Sequence, residues 1–131
     1  MTGRKEYIAY SGEHFVIEWY FDIKGNSDPL SYFETLSDIE QYKTLYLFKR
    51  MGDSGKISDT TKFNNEGNGI FAFKPQPHRF LSFFVIGKKI IVTNAYRKKG
   101  DKLPLSEKNL AEKRRADYIS RTKKGLYYEK R

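Results

Sequence analysis

From Phe15 to Asp22 apolar side chains recur at every second position: Phe15, Ile17, Trp19 and Phe21 fall on one side, Glu18 and Asp22 on the other. That period predicts a strand with one buried face. Lys24-Gly25-Asn26-Ser27 ends it, and Asp28-Pro29 supplies an N-cap followed by proline at the first helical position, opening a short helix to about Leu36. Ser37-Asp38-Ile39-Glu40 is a capping box, in which hydroxyl and carboxylate each satisfy a free backbone N–H. The helix it opens is expected to reach Met51 with Gly52 closing it. Its Ile39, Tyr42, Leu45, Tyr46 and Lys49 recur at three- and four-residue spacing, a stripe expected to lie on a sheet.

Residues 53 to 68 show no period and read as loop. Ile70 to Lys74, His78 to Ile86 and Lys89 to Tyr96 then read as three strands, with Gly87-Lys88 making a tight hairpin between the last two. Ser106-Glu107-Lys108 begins a final helix carrying Leu110, Ala111, Tyr118 and Ile119. The expected fold is α+β: two N-terminal helices and a C-terminal helix packed on a mainly antiparallel, roughly four-stranded sheet. Residues 1–131 read as one domain, with a short flexible N-terminus (about 1–13) and a basic C-terminal tail (about 121–131) that looks frayed.

At 131 residues the chain can bury one substantial core, and its aromatic fraction of 16% makes up for an apolar fraction of only 38%. The absence of cysteine excludes a disulfide scaffold, a thiolate metal site and a thiol nucleophile, and fits a reducing compartment. No run approaches the ~20 apolar residues that cross a bilayer, and the start of the chain lacks the apolar core of an export signal. A cytoplasmic protein with no membrane partner is expected.

Charge changes this picture most. The last 44 residues hold fifteen Lys or Arg against five Asp or Glu, so the formal charge of +9 sits at one end. Its densest stretch, Tyr96-Arg97-Lys98-Lys99-Gly100-Asp101-Lys102-Leu103-Pro104, follows directly on a strand, and ordered cations beside aromatics point to a nucleic-acid site. Histidines and carboxylates show no metal-ligand spacing, no Gly-rich phosphate loop follows a strand, and no cofactor is implied.

The same stretch resembles the aromatic-x-Lys-Lys-x-x-Lys-x-Pro segment of the RelE/HigB toxins of type II toxin–antitoxin modules, most closely the phage-derived, gp-forty-nine-like branch of the RelE/ParE superfamily. Glu107, Ala111, Arg114 and Asp117-Tyr118 follow at the family's spacing. Upstream, Gly69 to Lys74 and His78-Arg79-Phe80 resemble the family's strand pair. Ala72 stands in the usual glutamate place, Lys74 about where arginine is usual, His78 where an aromatic is usual, and Gly100 and Leu103 replace threonines. The resemblance covers roughly residues 14 to 120. It implies a RelE-like fold and a metal-independent endoribonuclease, an mRNA interferase that cleaves messenger RNA on the ribosome, inhibits translation and is silenced by an antitoxin bearing a helix-turn-helix. Two alternatives stay open: a non-catalytic basic module of the same fold that binds RNA, DNA or an antitoxin, and a ParE-like gyrase inhibitor.

Cleavage through the ribose 2′-hydroxyl requires a proton acceptor, charge stabilisation at phosphorus and a proton donor for the leaving oxygen. Arg79, whose guanidinium offers a planar two-pronged donor, is the candidate phosphate clamp. Lys74 joins it if both side chains share a face. Tyr96 is placed to stack on a base or donate to phosphate. His78 is the candidate acid or base, since a histidine ordinarily titrates near neutrality, although it neighbours Arg79 and adjacent strand residues point oppositely. Arg97, Lys98, Lys99 and Lys102 are candidate RNA anchors. In the resemblance, Arg114 and Tyr118 join them. For each of these the competing reading is a solvated surface charge or a packed aromatic.

Overall fold

The computed structural model describes residues 5–129. Strands β1 (Ile8–Ser11) and β2 (Val16–Trp19) lead into helices α1 (Asp28–Glu34) and α2 (Asp38–Ser54). Strands β3 (Phe63–Asn65), β4 (Phe71–Phe73), β5 (His78–Val85) and β6 (Lys89–Arg97) follow, and helix α3 (Leu105–Lys123) comes last. The six strands form one sheet in the order β1-β2-β6-β5-β4-β3, with β2 and β6 parallel and the other neighbours antiparallel.

This corrects the expected fold: the sheet has six strands rather than about four, it is mixed, and two strands precede the first helices. Strands β1 and β3 escaped the pattern because they are four and three residues long and neither alternates between buried and exposed positions. The parallel pairing has a different cause. Everything from α1 to β5 lies between β2 and β6, so their relative direction is set by which edge of the β5–β6 hairpin remains open, and no local period encodes that.

Alternation along β5 places the layers. Phe80 meets Trp19, Phe48 and Tyr32 on the side covered by α1 and α2, whereas Phe83 meets Tyr118 of α3 on the other side. The first side is an aromatic core: Phe48 of α2 stands edge-on to Phe73 at 4.9 Å and to Trp19 at 5.6 Å.

Helix α2 begins as its capping box predicts, with Ser37 Oγ accepting from Glu40 N and Glu40 Oε1 accepting from Ser37 N. It runs past the expected end and stops at Gly55, whose φ of 76° is left-handed. Gly52 has another task. A Cβ on Gly12 would lie 2.2 Å from the Gly52 carbonyl carbon, so the β1–β2 turn crosses the helix where two glycines face each other. The packed stripe of α2 also differs from expectation. Thr44, Leu47, Phe48 and Met51 are buried, while Ile39, Tyr42, Leu45, Tyr46 and Lys49 face outward. Both sets satisfy the helical period, and the more continuous apolar stripe is the one left outside.

Within the described residues both ends are tied to the body. Strand β1 pairs with β2, Tyr127 Oη accepts from Phe21 N at 2.9 Å, and Tyr7 Oη accepts from Glu129 N at 3.0 Å. Residues 1–4, 130 and 131 lie outside the described residues.

Candidate nucleic-acid interface

Arg79 lies opposite Tyr96 in the antiparallel β5–β6 register, so both side chains stand on the α3 side of the sheet. The β4–β5 register pairs Ala72 with Leu81 and Phe73 with Phe80. Continued by one residue, the alternation sets Lys74 on the same side as Arg79.

Arg79 is only 7% exposed, yet among the described residues no carboxylate lies within ion-pair distance of it. Its Nη1 donates to Gln76 Oε1 at 3.1 Å and to the His78 carbonyl at 3.0 Å, both neutral acceptors. A buried cation without a counter-charge is costly, and an anion arriving from outside relieves that cost. Lys74 Nζ donates to the Thr60 carbonyl at 3.2 Å and stands 4.0 Å from Glu66. The Tyr96 phenol is pushed up to about 12, first by burial; the Arg79 charge pulls it down while Glu66 and Glu107 push it up. Tyr96 therefore keeps its proton at neutral pH and stands among a cation and two carboxylates.

Beyond Trp19 strand β2 leaves the sheet, and the last residues of β6 border an open cleft of about 530 Å³. Tyr32, Tyr96, Arg97, Lys99 and Glu107 line it. The basic loop beside it is anchored, with Lys98 N donating to the Pro77 carbonyl at 2.9 Å and Leu103 packing on the core. Arg97, Lys99 and Lys102 are exposed, and Lys98 stands 3.6 Å from Asp101.

Two candidates inherited from the family pattern lie elsewhere. Tyr118, on the sheet-facing side of α3, is 2% exposed, its hydroxyl 2.6 Å from that of Tyr128. Arg114 donates to the Thr93 carbonyl at 3.0 Å, pairs with Asp28 and lies over the Tyr20 ring. These bonds tie α3 to β6 and α1. The same holds for the other residues at family spacing. Glu107 accepts from Asn94 Nδ2 at 3.0 Å, Ala111 is fully buried, and Asp117 accepts from Tyr20 and Arg121. Burial raises the Asp117 carboxyl, but its bonds to Arg121 and Tyr20 outweigh that and leave it lowered. The spacing thus encodes the seating of α3.

His78 points away from Arg79, into the α1/α2 side. It is 4% exposed, with Nε2 2.6 Å from Glu40 Oε2 and Nδ1 2.6 Å from the Tyr32 hydroxyl. Glu40 is pushed down to about 2, first by its bond to His78 and then by those to Ser37. Glu40 is thus an acceptor, His78 Nε2 carries hydrogen, and in the neutral ring Nδ1 accepts from Tyr32. Sequence reasoning did not name Tyr32, Glu40, Glu66 or Glu107 as site residues. Only the capping box and the family spacing had marked Glu40 and Glu107, each for another reason. Among the described residues no cluster of three or more His, Asp or Glu is arranged to hold a metal ion, and no helix is long and apolar enough to cross a membrane.

Residues 31–116 match the model of the family described as phage derived protein Gp49-like (DUF891). No curated protein matches the chain.

Proposed function

The chain belongs to the Gp49-like family of phage-derived proteins, a RelE-like family associated with toxin–antitoxin modules, and on that premise we propose that it is the toxin of such a module, an endoribonuclease acting on messenger RNA at the ribosome. The observation that carries this reading is Arg79: a nearly buried guanidinium without a carboxylate partner among the described residues, directly across from a protonated tyrosine.

In this reading Arg79 grips the scissile phosphate and Lys74 adds a second positive charge. Tyr96 donates to a phosphoryl or leaving oxygen. Glu66, the carboxylate nearest Lys74, receives the 2′-hydroxyl proton, a task for which Ala72 offers no group. Arg97, Lys99 and Lys102 hold the flanking strand. The chemistry uses the RNA's own 2′-oxygen as nucleophile, which these side chains can serve without a cofactor. An antitoxin is the expected protein partner and the cytoplasm the expected compartment.

Single-turnover cleavage of messenger RNA on programmed ribosomes, with protein saturating, tests the assignment. Arg79→Ala is expected to slow the saturated rate by a hundredfold or more, since a lost donor to transition-state charge costs about 3 to 4 kcal/mol. Arg79→Lys, which keeps the charge but loses the fork, is expected to fall between. A parental rate in a folded Arg79→Ala protein removes Arg79 from the chemistry. Intact transcripts with the parent protein refute the nuclease reading.

A further inference from the structure

Tyr32, His78 and Glu40 come from α1, β5 and α2 and meet in a line that ends at the open cleft: Tyr32 lines it, His78 is buried behind Tyr32, and Glu40 lies behind His78. We propose that this line is a proton-controlled switch, in which protonation of His78 turns the Tyr32 hydroxyl outward to donate to a phosphodiester of RNA lying in the cleft. The proposal rests on the RNA-binding part of the reading above and adds its regulation by pH.

The chemistry follows from counting donors. Glu40 can only accept, so Nε2–H of His78 is committed to it. In the neutral ring Nδ1 takes the Tyr32 hydrogen, and the phenol offers the cleft only lone pairs, which repel an anionic oxygen. When His78 gains a proton, Nδ1–H donates to the Tyr32 oxygen instead, and the phenolic hydrogen is released towards the cleft. Tyr32 is then the group that touches RNA, and His78 and Glu40 are positioning residues.

The surroundings favour this. Glu40 is ionised over the whole physiological range and contacts the ring directly, so Nε2 is held as a donor. Arg97 is the cross-strand neighbour of His78, and Arg79 donates to the His78 carbonyl rather than to the imidazole. The Tyr32 phenol is raised, first by burial, with Arg97 pulling it down and Glu40 and Glu107 pushing it up. It therefore stays protonated and available as a donor. Arg97 and Glu107 both line the cleft, which places that hydroxyl within electrostatic reach of the space where RNA would lie.

Binding of a short single-stranded 2′-O-methyl RNA to the full chain, measured from pH 8 to pH 5.5, tests the switch without needing cleavage, since its phosphodiesters do not titrate there. The parent is expected to tighten by about tenfold as pH falls, the effect of one hydrogen bond to a charged group. Tyr32→Phe, which keeps His78, should lose most of that step. Glu40→Gln preserves the capping box through its amide oxygen, since glutamine also serves at that position, and turns an amide N–H towards Nε2, so the neutral ring can carry its hydrogen on Nδ1 and the step should shrink. The chain's other histidine is the internal control, and His14→Gln should leave the step in place. A full step in folded Tyr32→Phe or in folded Glu40→Gln, or no step in the parent, overturns the proposal. A step that behaves as expected in a protein that leaves ribosomal transcripts intact sustains the switch and refutes the nuclease, so the two failures are distinct.

Discussion

On the α1/α2 side of the sheet Trp19, Phe48, Phe73 and Phe80 meet ring against ring, whereas on the α3 side the ring contact of Phe83 with Tyr118 is accompanied by a set of directed polar bonds. There Glu18 accepts from Tyr128 at 2.7 Å and faces Lys89 at 3.4 Å, Asn94 donates to Glu107, and Arg114 donates to Thr93. Burial raises the Tyr128 phenol first, and its bonds to Tyr118 and Glu18 add to that. One side is held mainly by area removed from water, the other by buried side chains together with directed bonds that fix where a basic helix sits. The difference teaches that cationic residues in the C-terminal third fall into two populations. Some, such as Arg114 and Arg121 of α3, are committed to architecture, and others, such as Arg97, Lys99 and Lys102 or Lys113 and Lys123, are left to solvent. A count of charges from sequence merges the two.

The aromatic side should be the more fragile. Phe48 is fully buried and touches Trp19, Phe73 and Phe80, so Phe48→Ala removes one ring from four and leaves a cavity that helix and sheet cannot close. A loss of about 3 to 5 kcal/mol in urea unfolding is expected. A loss below about 1 kcal/mol, near the cost of a surface change, would dissolve the contrast between the faces.

Much of this is legible in the chain, and what is not has physical causes. The capping box at Ser37 and Glu40 marks the start of α2, because capping is local. The period-2 rule places His78 and Arg79 on opposite faces. What lies behind His78 cannot be read, because Tyr32 and Glu40 approach it only once α1 and α2 pack on β5. The α2 stripe misleads because Ile39, Tyr42, Leu45 and Tyr46 recur as regularly as Thr44, Leu47, Phe48 and Met51, and only the sheet decides which set it covers. Arg114 and Tyr118 look functional because a family spacing records whatever must stay in place, including the residues that seat a helix.

That last distinction can be sharpened at Arg114. Arg114→Ala frees the Thr93 carbonyl and Asp28, with an expected stability loss of about 1 to 2 kcal/mol in thermal or urea unfolding. Affinity for single-stranded RNA should stay within about twofold of the parent at fixed salt, because the Arg114 charge is paired with Asp28 and does not line the cleft. A large loss of affinity without a loss of stability would return Arg114 to the binding surface.

The smallest expected effect divides the solvent-exposed population by position. Arg97 and Lys99 line the cleft, whereas Lys113 and Lys123 are exposed on α3 away from it. Each pair carries two positive charges, so the two double alanine variants have the same net charge and differ only in where it was removed. If affinity came from overall charge, both would weaken binding alike. If RNA lies in the cleft, only the Arg97 and Lys99 variant gives up its hold on phosphates. Its plot of log affinity against log salt should then become shallower by about 0.7 for each phosphate no longer neutralised on a single strand, or about 1.4 for the pair. The Lys113 and Lys123 variant should keep the parental slope, since charges that bind no phosphate release no counterion. Equal slopes for the two variants would place the RNA outside the cleft, and a shallower slope only for the α3 variant would move it onto the helix.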